Sequence, residues 1–444
     1  MKQILLLGAG KSSSVLIEQL ITEAEKEDLK LVVGDQHPAN IKQWVSASER
    51  LEIIQADASD GSILKPLIHN ADLVISMLPA HMHPAVARLC LEEKRHLLTA
   101  SYVSEEMQQL HHPAVEHDLI FLNEMGVDPG IDHMSAMEVI HRIRAAGGTM
   151  TAFESFTGGL LAPESEKDNP WKYKFTWNPR NVVLAGQGTV KFRQEGKYKY
   201  IPYHRLFRRT EVIQIPGYGY FEGYANRDSL KYLSAYNLEE VKTIYRGTLR
   251  RPGFCRTWNA FVQLGATDDS FIMEDTEEMT YREFINSFLY YDPIAPVELK
   301  LAHYMNWDID SEEMHRLRWL GIFENKKVGL KNATPARILQ KILEDKWTLE
   351  KEDKDMLVMW HKFNYRIGEE DKELHAYLVV KGQDHIRTSM AQTVGLPVAL
   401  AARLILSNKI KARGVLIPTL REIYEPVLSD LRKLGISFQE MQIK

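Results

Sequence analysis

The sequence predicts an α/β protein with a doubly wound parallel sheet and a second, mixed α+β domain. Over the first 122 residues, short apolar segments alternate with longer amphipathic ones, which is typical of parallel strands linked by crossover helices. The first apolar segment runs directly into a glycine turn, "GAG", at residues 8–10. Downstream of residue 122 the composition changes, first to Gly, Pro and aromatic residues and then to charged helical segments. These observations predict a nucleotide-binding sheet followed by further domains.

Six strands are predicted in the first part of the chain, at residues 3–7, 30–34, 51–55, 72–77, 96–99 and 119–122. Segments up to about residue 262 are typical of sheet and loop, and residues 263–351 of helices. A strand pair and a long apolar helix complete the chain. We therefore expect a nucleotide-binding domain at 1–124 and 384–444, a substrate and dimerisation domain at 125–262 and 352–383, and a helical insert at 263–351.

Composition excludes several classes of protein. The chain has 444 residues, 44% of them hydrophobic and 26% charged, and a net charge of −5, so nothing global points to nucleic acid or an anionic membrane. Two cysteines are too few for a disulfide framework and lack metal-ligand spacing, so we expect a reducing compartment and no metal. The apolar N-terminal run is too short for a signal peptide, and no stretch reaches the ~18 apolar residues of a membrane span. We expect a cytoplasmic protein without membrane contact.

The glycine turn resembles the dinucleotide fingerprint of Rossmann domains. In that fingerprint the first glycine, here Gly8, makes the turn, and the second, Gly10, lets backbone N–H groups approach the pyrophosphate. Ser13 replaces the third glycine, a departure that could loosen helix-to-strand packing. Because the turn lies between a predicted strand and a predicted helix, it predicts dinucleotide binding.

Two carboxylates follow the next strands. Asp35 ends the second predicted strand, where an acidic side chain accepts hydrogen bonds from the adenosine ribose and would repel a 2′-phosphate. This favours NAD over NADP, although "GDQHP" could equally be a polar turn. Asp57 follows the third strand, where it could lie on the adenine side or cap the segment from Ser59 onward.

The stretch "NEMGVDPGIDH", residues 123–133, places three carboxylates and a histidine around a Pro-Gly turn at the end of the sixth strand. Ligands of open α/β sheets lie at the carboxyl ends of the strands, so Glu124 or Asp128 is a candidate acid or base. Asp132 lies at a helix start and is expected to be structural. His133 could act in proton transfer, but a histidine beside an apolar helix is more often a packing residue.

Residues 191–257 form a basic segment, with fourteen Lys or Arg against six Asp or Glu. Such a surplus suits an anionic substrate; nucleic acid is disfavoured because no nucleic-acid motif occurs and the whole chain is acidic. Arg227 and Arg246 follow Gly- and aromatic-rich turns, and guanidinium groups bind carboxylates in a bidentate manner. The alternative is a solvated arginine paired with Asp228 or Glu222.

Long ordered motifs resemble the saccharopine dehydrogenase family of the L-glutamate-forming type. They include "LLLGAGKSSS", "DLVISMLPAHMHPAVARLCLEEKRHLLTASYVS", "NEMGVDPGIDHMSAM", "YANRDSL", "YRGTLRRPGF" and "KIKARGVLIPT". The match covers nearly the whole chain. It looks closest to the dehydrogenase half of the bifunctional lysine-degrading enzyme, through "NKIKARGV" especially.

The resemblance implies a Rossmann domain completed by C-terminal residues, a mixed-sheet substrate and dimer domain, and a helical insert. For the chemistry itself we expect Asp128 to be the first catalytic candidate, Tyr102 the second and Glu124 the third. Implied saccharopine contacts are Ser101, Tyr102, Asp128, Arg227, Arg246, Gly247 and Thr248. Implied cofactor contacts are Gly8, Gly10, Lys11, Ser12, Ser13, Asp35, Asp57, Ala58, Ser76, Ser101, Gly126 and Val127. The third-glycine position varies in the family, and Asp35 stands where NADP-using members carry Arg.

The activity implied is oxidation of the secondary amine saccharopine to L-glutamate and 2-aminoadipate 6-semialdehyde, or the reverse, by a homodimer; Asp35 favours NAD over NADP as the cofactor. Two alternatives stay open. One is a related dehydrogenase of another amino-acid-derived secondary amine, such as carboxynorspermidine, which has fewer carboxylates and needs fewer arginines. The other is a noncatalytic NAD sensor, which would bind the cofactor without turnover.

Overall fold

The computed structural model describes residues 1–41, 45 and 48–444. Its strands are β1 (Lys2–Leu7), β2 (Leu29–Asp35), β3 (Leu51–Gln55), β4 (Leu73–Ser76), β5 (His96–Thr99), β6 (Ile120–Leu122), β7 (Thr149–Leu161), β8 (Thr189–Gln194), β9 (Lys197–Pro202), β10 (Glu211–Ile215), β11 (Gly219–Ala225), β12 (Thr243–Arg250), β13 (Asp355–Ile367), β14 (Glu370–Lys381), β15 (Gly414–Leu416) and β16 (Gln439–Gln442).

The helices are α1 (Ser14–Lys26), α2 (Pro38–Ile41), α3 (Gly61–His69), α4 (His83–Glu92), α5 (Glu105–Gln108), α6 (His111–Glu116), α7 (Ile131–Ala145), α8 (Pro163–Glu166), α9 (Pro179–Val183), α10 (Tyr203–Leu206), α11 (Tyr232–Ala235), α12 (Phe254–Leu264), α13 (Tyr281–Asn286), α14 (Val297–Met305), α15 (Glu312–Trp319), α16 (Pro335–Trp347), α17 (Ser389–Leu406) and α18 (Arg421–Lys433). Short 3₁₀ turns lie at Lys11–Ser13, Ala80–Met82 and Ser229–Lys231.

The chain divides into two compact units. The first comprises Met1–Thr149, Ile367–Glu370 and Gly382–Glu440, and the second comprises Met150–Arg366, Asp371–Lys381 and Met441–Lys444. The predicted nucleotide-binding domain ends at residue 124, whereas the first unit continues to Thr149 because α7 packs against α18. The helices predicted as a separate insert share the hydrophobic core of the second unit.

The first unit is built on a seven-stranded parallel sheet of order β15-β6-β5-β4-β1-β2-β3. The interior strand β1 is apolar on both faces, and Leu5, Leu6 and Leu7 are buried, as expected where helices cover both sides of a parallel sheet. The six predicted strands are present within two residues of their predicted bounds. The seventh strand, β15, comes from the C-terminal part of the chain, which confirms the fold class.

One helix of the described residues, α17, is long and apolar enough by length and composition to cross a membrane, with a mean hydropathy of 1.4 over 18 residues. The expectation that no stretch reaches this length is therefore wrong. In the structure 78% of this segment is buried, and α17 packs against α1 and α18. A Cβ on Gly395 would lie 2.7 Å from the backbone N of Leu16, so the helices approach closely there.

The second unit contains a mixed sheet of order β10-β11-β12-β7-β13-β14-β16, with the hairpin β8–β9 joined to β12. Strands β10, β11 and β12 pair antiparallel, whereas β12 and β7 pair parallel. Aromatic residues fill its core: the Trp347 ring contacts Tyr173 edge-on at 4.9 Å between ring centroids and stacks on Trp258 at 5.9 Å. These contacts connect α16 and α12 to the loop between α8 and α9.

Candidate dinucleotide site and active-site residues

The two glycines of the turn after β1 have different surroundings. Gly8 has φ +88°, and a Cβ there would lie 3.1 Å from the carbonyl oxygen of Met77, so the turn requires glycine. A Cβ on Gly10 would meet no protein atom within 4 Å. Nothing in the described protein therefore uses the space above Gly10, and that space suits close approach of a pyrophosphate to the backbone.

Lys11, Ser12 and Ser13 form a 3₁₀ turn at the start of α1. Lys11 is exposed, whereas Ser13 is buried and its hydroxyl lies 3.4 Å from the carbonyl oxygen of Gly8, to which it donates. Ser13 therefore packs inside the turn and bonds across it, in the place where a third glycine would stand.

Asp35 is fixed beside the glycine turn. Its Oδ2 accepts a hydrogen bond from the backbone N–H of Ala9 at 2.8 Å, and its Oδ1 accepts from the N–H of His37 at 2.7 Å. The carboxylate thus stands at the end of β2, directly tied to the turn that would hold a pyrophosphate, as expected for a ribose-binding acid.

Asp57 makes local contacts after β3. The Ser59 hydroxyl donates to it at 2.7 Å, the Ser59 amide at 2.9 Å and the Gln36 amide group at 3.0 Å, and the Ser59 hydroxyl is the main reason that the pKa of Asp57 is lowered. The cap of α3 is Asp60. Asp57 therefore closes a turn with Ser59, and neighbouring Ala58 is half-buried.

A buried histidine links the ends of β4 and β5. His83 Nδ1 lies 2.9 Å from the Ser76 hydroxyl, and Nε2 lies 2.8 Å from the Ser101 hydroxyl and 3.2 Å from the Thr99 hydroxyl. Burial, with a smaller effect of His81, lowers the pKa of His83 to about 4. We did not predict His83 from the sequence; its signal is a histidine in the buried stripe 83, 86, 87 and 90 of α4.

The bend at 123–133 folds tightly on itself. The N–H of Gly126 donates to the Pro129 carbonyl oxygen at 2.9 Å, and the N–H of Ile131 donates to the Gly126 carbonyl oxygen at 3.0 Å. A Cβ on Gly130 would lie only 2.0 Å from that same Gly126 oxygen. Every residue from 121 to 137 is buried except Asp128. The cofactor positions predicted at Gly126 and Val127 thus lie inside the bend.

Asp128 is half-buried and contacts Tyr102, whose hydroxyl donates to Asp128 Oδ1 at 2.8 Å. Tyr102 and Ser101 follow β5 and are also half-buried. The structure therefore brings together the two side chains predicted to be catalytic, at the carboxyl edge of the parallel sheet.

The other charged groups of the bend are internal. Glu124 Oε2 lies 2.7 Å from His133 Nε2, and Glu124 Oε1 accepts from the Val103 amide at 3.0 Å. Asp132 Oδ1 accepts from the Gly130 amide at 2.6 Å, and Oδ2 lies 3.6 Å from His133 Nδ1. Glu124 is 6% exposed and His133 is fully buried. These contacts indicate structural roles, so Glu124 is a weaker acid–base candidate than Asp128.

In the second unit, β12 presents polar side chains on one face. Arg246 pairs in register with Ser155 of β7, and Thr248 pairs with Thr157 of β7 and with Tyr224 of β11. Arg246 is buried, with its guanidinium carbon 4.1 Å from the centroid of the Tyr232 ring. Gly247 lies between them, on the other face of the strand.

Gly247 is constrained by packing. A Cβ there would lie 2.2 Å from the Phe156 ring. Only its backbone is therefore available to a ligand.

Arg227 is exposed and has φ +52°. Both carboxylates considered as its pairing partners have other contacts: Asp228 caps the 3₁₀ turn at Leu230, and Glu222 accepts from the Cys255 amide at 2.6 Å. Arg227 and Arg246 thus differ sharply in exposure, and the sequence patterns did not separate them.

Eight of the fourteen Lys and Arg residues of the basic segment are exposed, but several of its arginines are engaged inside the protein. The Arg193 guanidinium donates to the carbonyl oxygens of Glu239 and Val241, and Arg251 Nε donates to Glu166 at 2.9 Å. Arg250 is buried, 5.0 Å from the Tyr173 ring centroid. The charge count therefore overstates how many cations a substrate could meet.

Together, the parallel sheet, the glycine turn and the acid beside it define a dinucleotide-binding protein. Family models agree with this class: residues 4–122 match "Saccharopine dehydrogenase NADP binding domain" and residues 126–436 match "Saccharopine dehydrogenase C-terminal domain". The chain belongs to the saccharopine dehydrogenase family of NAD(P)-binding oxidoreductases.

Individual relatives support the same family. The chain is 32% identical to "Saccharopine dehydrogenase [NADP(+), L-glutamate-forming]" of Saccharomyces cerevisiae, over 100% of this chain and 99% of that protein. It is also 32% identical to the alpha-aminoadipic semialdehyde synthases of Arabidopsis thaliana and Mus musculus, but spans only 41% and 47% of their lengths. Because these identities are equal, a closer relation to the bifunctional enzyme stays a prediction.

A solved structure shares the whole fold. "Apo histidine-tagged saccharopine dehydrogenase (L-Glu forming) from Saccharomyces cerevisiae" aligns over 100% of both chains with a TM-score of 0.88 and 31% sequence identity. The predicted combination of a Rossmann sheet with a mixed second domain is therefore confirmed.

Proposed function

We propose that the protein oxidises saccharopine with a nicotinamide dinucleotide and water, giving L-glutamate, 2-aminoadipate 6-semialdehyde, the reduced dinucleotide and a proton. The observation that carries this proposal is the Tyr102–Asp128 contact at the carboxyl edge of the parallel sheet, 2.8 Å from hydroxyl to carboxylate. In a member of this family, the contact supplies a half-exposed acid–base pair at the edge where such sheets bind their ligands.

The residues of the glycine turn fit the dinucleotide, since Gly8 makes the turn and the space above Gly10 is open. When bound, the nicotinamide accepts a hydride from the substrate. We propose that Gly8, Gly10 and the segment 11–13 hold the pyrophosphate, with Asp35 on the ribose, and that Asp57, Ala58, Ser76, Ser101, Gly126 and Val127 complete the cofactor contacts.

Asp128 is proposed to contact the substrate nitrogen. Oxidation requires that nitrogen to be neutral, so a nearby base must take its proton, and water addition to the oxidised carbon requires a second proton transfer. Asp128 Oδ1 accepts from the Tyr102 hydroxyl, and a carboxylate held in this position can take a proton from an ammonium group. Tyr102 then orients the carboxylate or shares the proton.

Saccharopine carries three carboxylates, which need cationic or N–H partners. We propose that Arg227, Arg246 and the backbone at Gly247 and Thr248 bind carboxylates, with Ser101 as a further contact. Arg227→Ala should raise the substrate KM about tenfold and change kcat little, because an exposed charged hydrogen bond contributes binding rather than chemistry. Arg208, another arginine of the basic segment, provides the matched control variant, Arg208→Ala. An unchanged KM in Arg227→Ala would show that Arg227 does not bind the substrate and is a solvated surface residue.

We propose NAD as the preferred cofactor. The support is Asp35, whose carboxylate is fixed at the glycine turn and would repel a 2′-phosphate. The fungal relatives are named as NADP(+)-dependent, so the preference is open to a direct test. Asp35→Arg should move the kcat/KM ratio toward NADP, whereas Glu52→Gln, on the neighbouring strand β3, should leave that ratio unchanged.

The experiment that tests the function is absorbance of the reduced nicotinamide with saccharopine and either NAD or NADP, followed by amino-acid analysis of the products. Glutamate formed with NAD supports both proposals, and glutamate formed only with NADP removes the cofactor proposal alone. Turnover of carboxynorspermidine instead favours the related amine dehydrogenase, and dinucleotide binding without turnover of either amine favours the sensor.

A homodimer and a cytoplasmic location stay predictions. Sedimentation equilibrium of the purified protein tests the dimer, since a single species of 51.1 kDa would contradict it. Cell fractionation with an antibody tests the location.

A further inference from the structure

We infer that His83 is a positioning residue that sets the hydroxyl groups of Ser76 and Ser101 for ligand binding. The inference rests on the proposed function, because both serines are proposed ligand contacts. His83 itself contacts neither the cofactor nor the substrate in this proposal.

The geometry uses both ring nitrogens of His83. Nδ1 lies 2.9 Å from the Ser76 hydroxyl at the end of β4, and Nε2 lies 2.8 Å from the Ser101 hydroxyl just after β5. Thr99, the last residue of β5, lies 3.2 Å from Nε2 and accepts from the Ser101 amide at 3.1 Å. One side chain therefore connects two neighbouring strand ends, where ligands of such sheets bind.

Burial decides the chemistry of this link. His83 is 3% exposed and Ser76 is fully buried, whereas Ser101 is half-buried. A neutral imidazole has one N–H donor and one acceptor nitrogen, so it donates to one serine and accepts from the other. When Nε2 is the acceptor, the Ser101 hydroxyl donates to it; when Nε2 carries the hydrogen, the Ser101 oxygen accepts and its own hydrogen points away from the ring. The tautomer of His83 therefore decides which role Ser101 offers to a ligand, and Ser101 is the residue of this group that reaches the surface.

The ordinary alternative is a histidine that only fills the core. His83 lies in the first turn of α4, whose other buried residues are Pro84, Val86, Ala87 and Cys90. An apolar residue of similar size would fill that stripe equally well, but it would leave the hydroxyls of Ser76 and Thr99 buried beside a group that cannot bond them. The polar contacts therefore distinguish a positioning role from simple filling of the core, and substitutions at His83 can test which role holds.

Three substitutions test the inference. His83→Asn places an amide near the position of Nδ1 and keeps a partner for Ser76 only. His83→Gln places its amide near Nε2 and keeps a partner for Ser101. His83→Leu removes both partners. His81→Gln is the matched control, because His81 is an exposed histidine two residues away.

Two readouts are measured for each folded variant: the dinucleotide Kd from fluorescence titration without substrate, and kcat/KM for saccharopine. We expect His83→Leu to lose about tenfold in both readouts, the equivalent of one buried hydrogen bond, and His83→Asn to lose about the same factor in both, because Ser101 loses its partner. His83→Gln should stay within about threefold of the unsubstituted protein in kcat/KM, and His81→Gln should match it in both readouts.

Equal kcat/KM in the Asn and Gln variants, or a folded Leu variant with both values unchanged, would overturn the inference. If the Leu variant does not fold, the Asn and Gln pair decides. If the unsubstituted protein binds dinucleotide but does not turn over saccharopine, the proposed function fails. The Kd of the Leu variant, or that of the Asn variant where Leu does not fold, then decides the role of His83, with an unchanged Kd contradicting it.

Discussion

The glycine turn after β1 and the Pro-Gly bend after β6 lie at the same edge of one parallel sheet, yet their glycines have different surroundings. Gly10 has open space where a side chain would be, whereas Gly130 faces the Gly126 carbonyl oxygen at a distance that no Cβ tolerates. The first turn leaves room for a ligand, and the second closes on itself. Two Gly-rich motifs at strand ends therefore require glycine for different reasons.

The same difference separates the carboxylates of the bend. Glu124 and Asp132 point inward to His133 and to backbone amides, whereas Asp128 is half-buried and bonded to Tyr102. A closed bend thus fixes one outward carboxylate. Internal contacts account for two of the three carboxylates in "NEMGVDPGIDH", Glu124 and Asp132, and we propose a substrate contact for the third, Asp128.

The largest expected effect is on the closed bend. Gly130→Ala places a Cβ 2.0 Å from the Gly126 oxygen at φ +147°, and should lower the free energy of unfolding by about 4 kcal/mol or prevent folding. Urea unfolding monitored by circular dichroism measures it. Gly147→Ala is the control, since Gly147 also has positive φ but no atom within 4 Å of a Cβ. Equal losses in both variants would show that backbone strain alone, and not contact with Gly126, decides.

The next largest effect is the pH dependence of stability that buried His83 causes at the carboxyl edge of the parallel sheet. Burial holds the pKa of His83 at about 4, below the ordinary histidine value of 6.5. The folded state therefore binds fewer protons than the unfolded state. The contribution of neutral His83 to the free energy of unfolding is complete above pH 6.5. It is lost as the pH falls through 4, by about 3 kcal/mol in total.

His83→Asn removes this titration, so its unfolding free energy should fall less than that of the unsubstituted protein between pH 7 and pH 4. Urea unfolding at several pH values measures the difference. His81→Gln should leave the steeper dependence in place. Parallel curves for His83→Asn and the unsubstituted protein would contradict the low pKa.

The third prediction tests the outward carboxylate. Asp128→Asn should retain dinucleotide binding and lose about 100-fold or more in kcat, since a positioned acid or base contributes on that scale. Stopped-flow absorbance and a parallel dinucleotide titration measure the two quantities. Tyr102→Phe, which keeps the ring but removes the hydrogen bond, should lose less. Normal turnover in Asp128→Asn would remove Asp128 from the mechanism.

The smallest effect is expected at the open turn. Gly10→Ala should change the free energy of unfolding by less than about 1 kcal/mol, because its Cβ meets no protein atom within 4 Å. It should weaken dinucleotide binding about tenfold by blocking approach of the pyrophosphate. Differential scanning calorimetry measures the change in stability, and titration calorimetry measures the change in dinucleotide affinity. Unchanged affinity would mean that the space above Gly10 is not the pyrophosphate site.

The sequence predicted the repetitive parts of the molecule well. Alternating apolar segments located the six strands 3–7 to 119–122, because strands buried on both faces leave continuous apolar runs. The motifs also indicated Asp128 and Tyr102 as the two leading catalytic candidates. Their spacing along the chain does not by itself reveal contact, which depends on β5 and β6 being neighbours.

Other features depended on packing that no local pattern encodes. In the sequence, His83 is indistinguishable from the other buried residues of an amphipathic helix. Its role becomes visible only when β4 and β5 lie side by side, because its ring contacts residues at the ends of both strands. The bounds of the first unit could not be predicted, since residues 125–149 join it through contacts between α7 and α18. The charge count of the basic segment overestimated the ligand surface, because Arg193, Arg250 and Arg251 donate to backbone carbonyls and a charge count does not show side-chain direction.

The central claim, oxidation at the lysine-derived ε-carbon of saccharopine, is tested most directly by isotope transfer. Saccharopine deuterated at that carbon is incubated with the protein and the oxidised dinucleotide, and the reduced dinucleotide is analysed by mass spectrometry. We predict one transferred deuterium per reduced dinucleotide, with L-glutamate as the coproduct. Reduced dinucleotide without deuterium, or no reduction at all, would contradict the assignment.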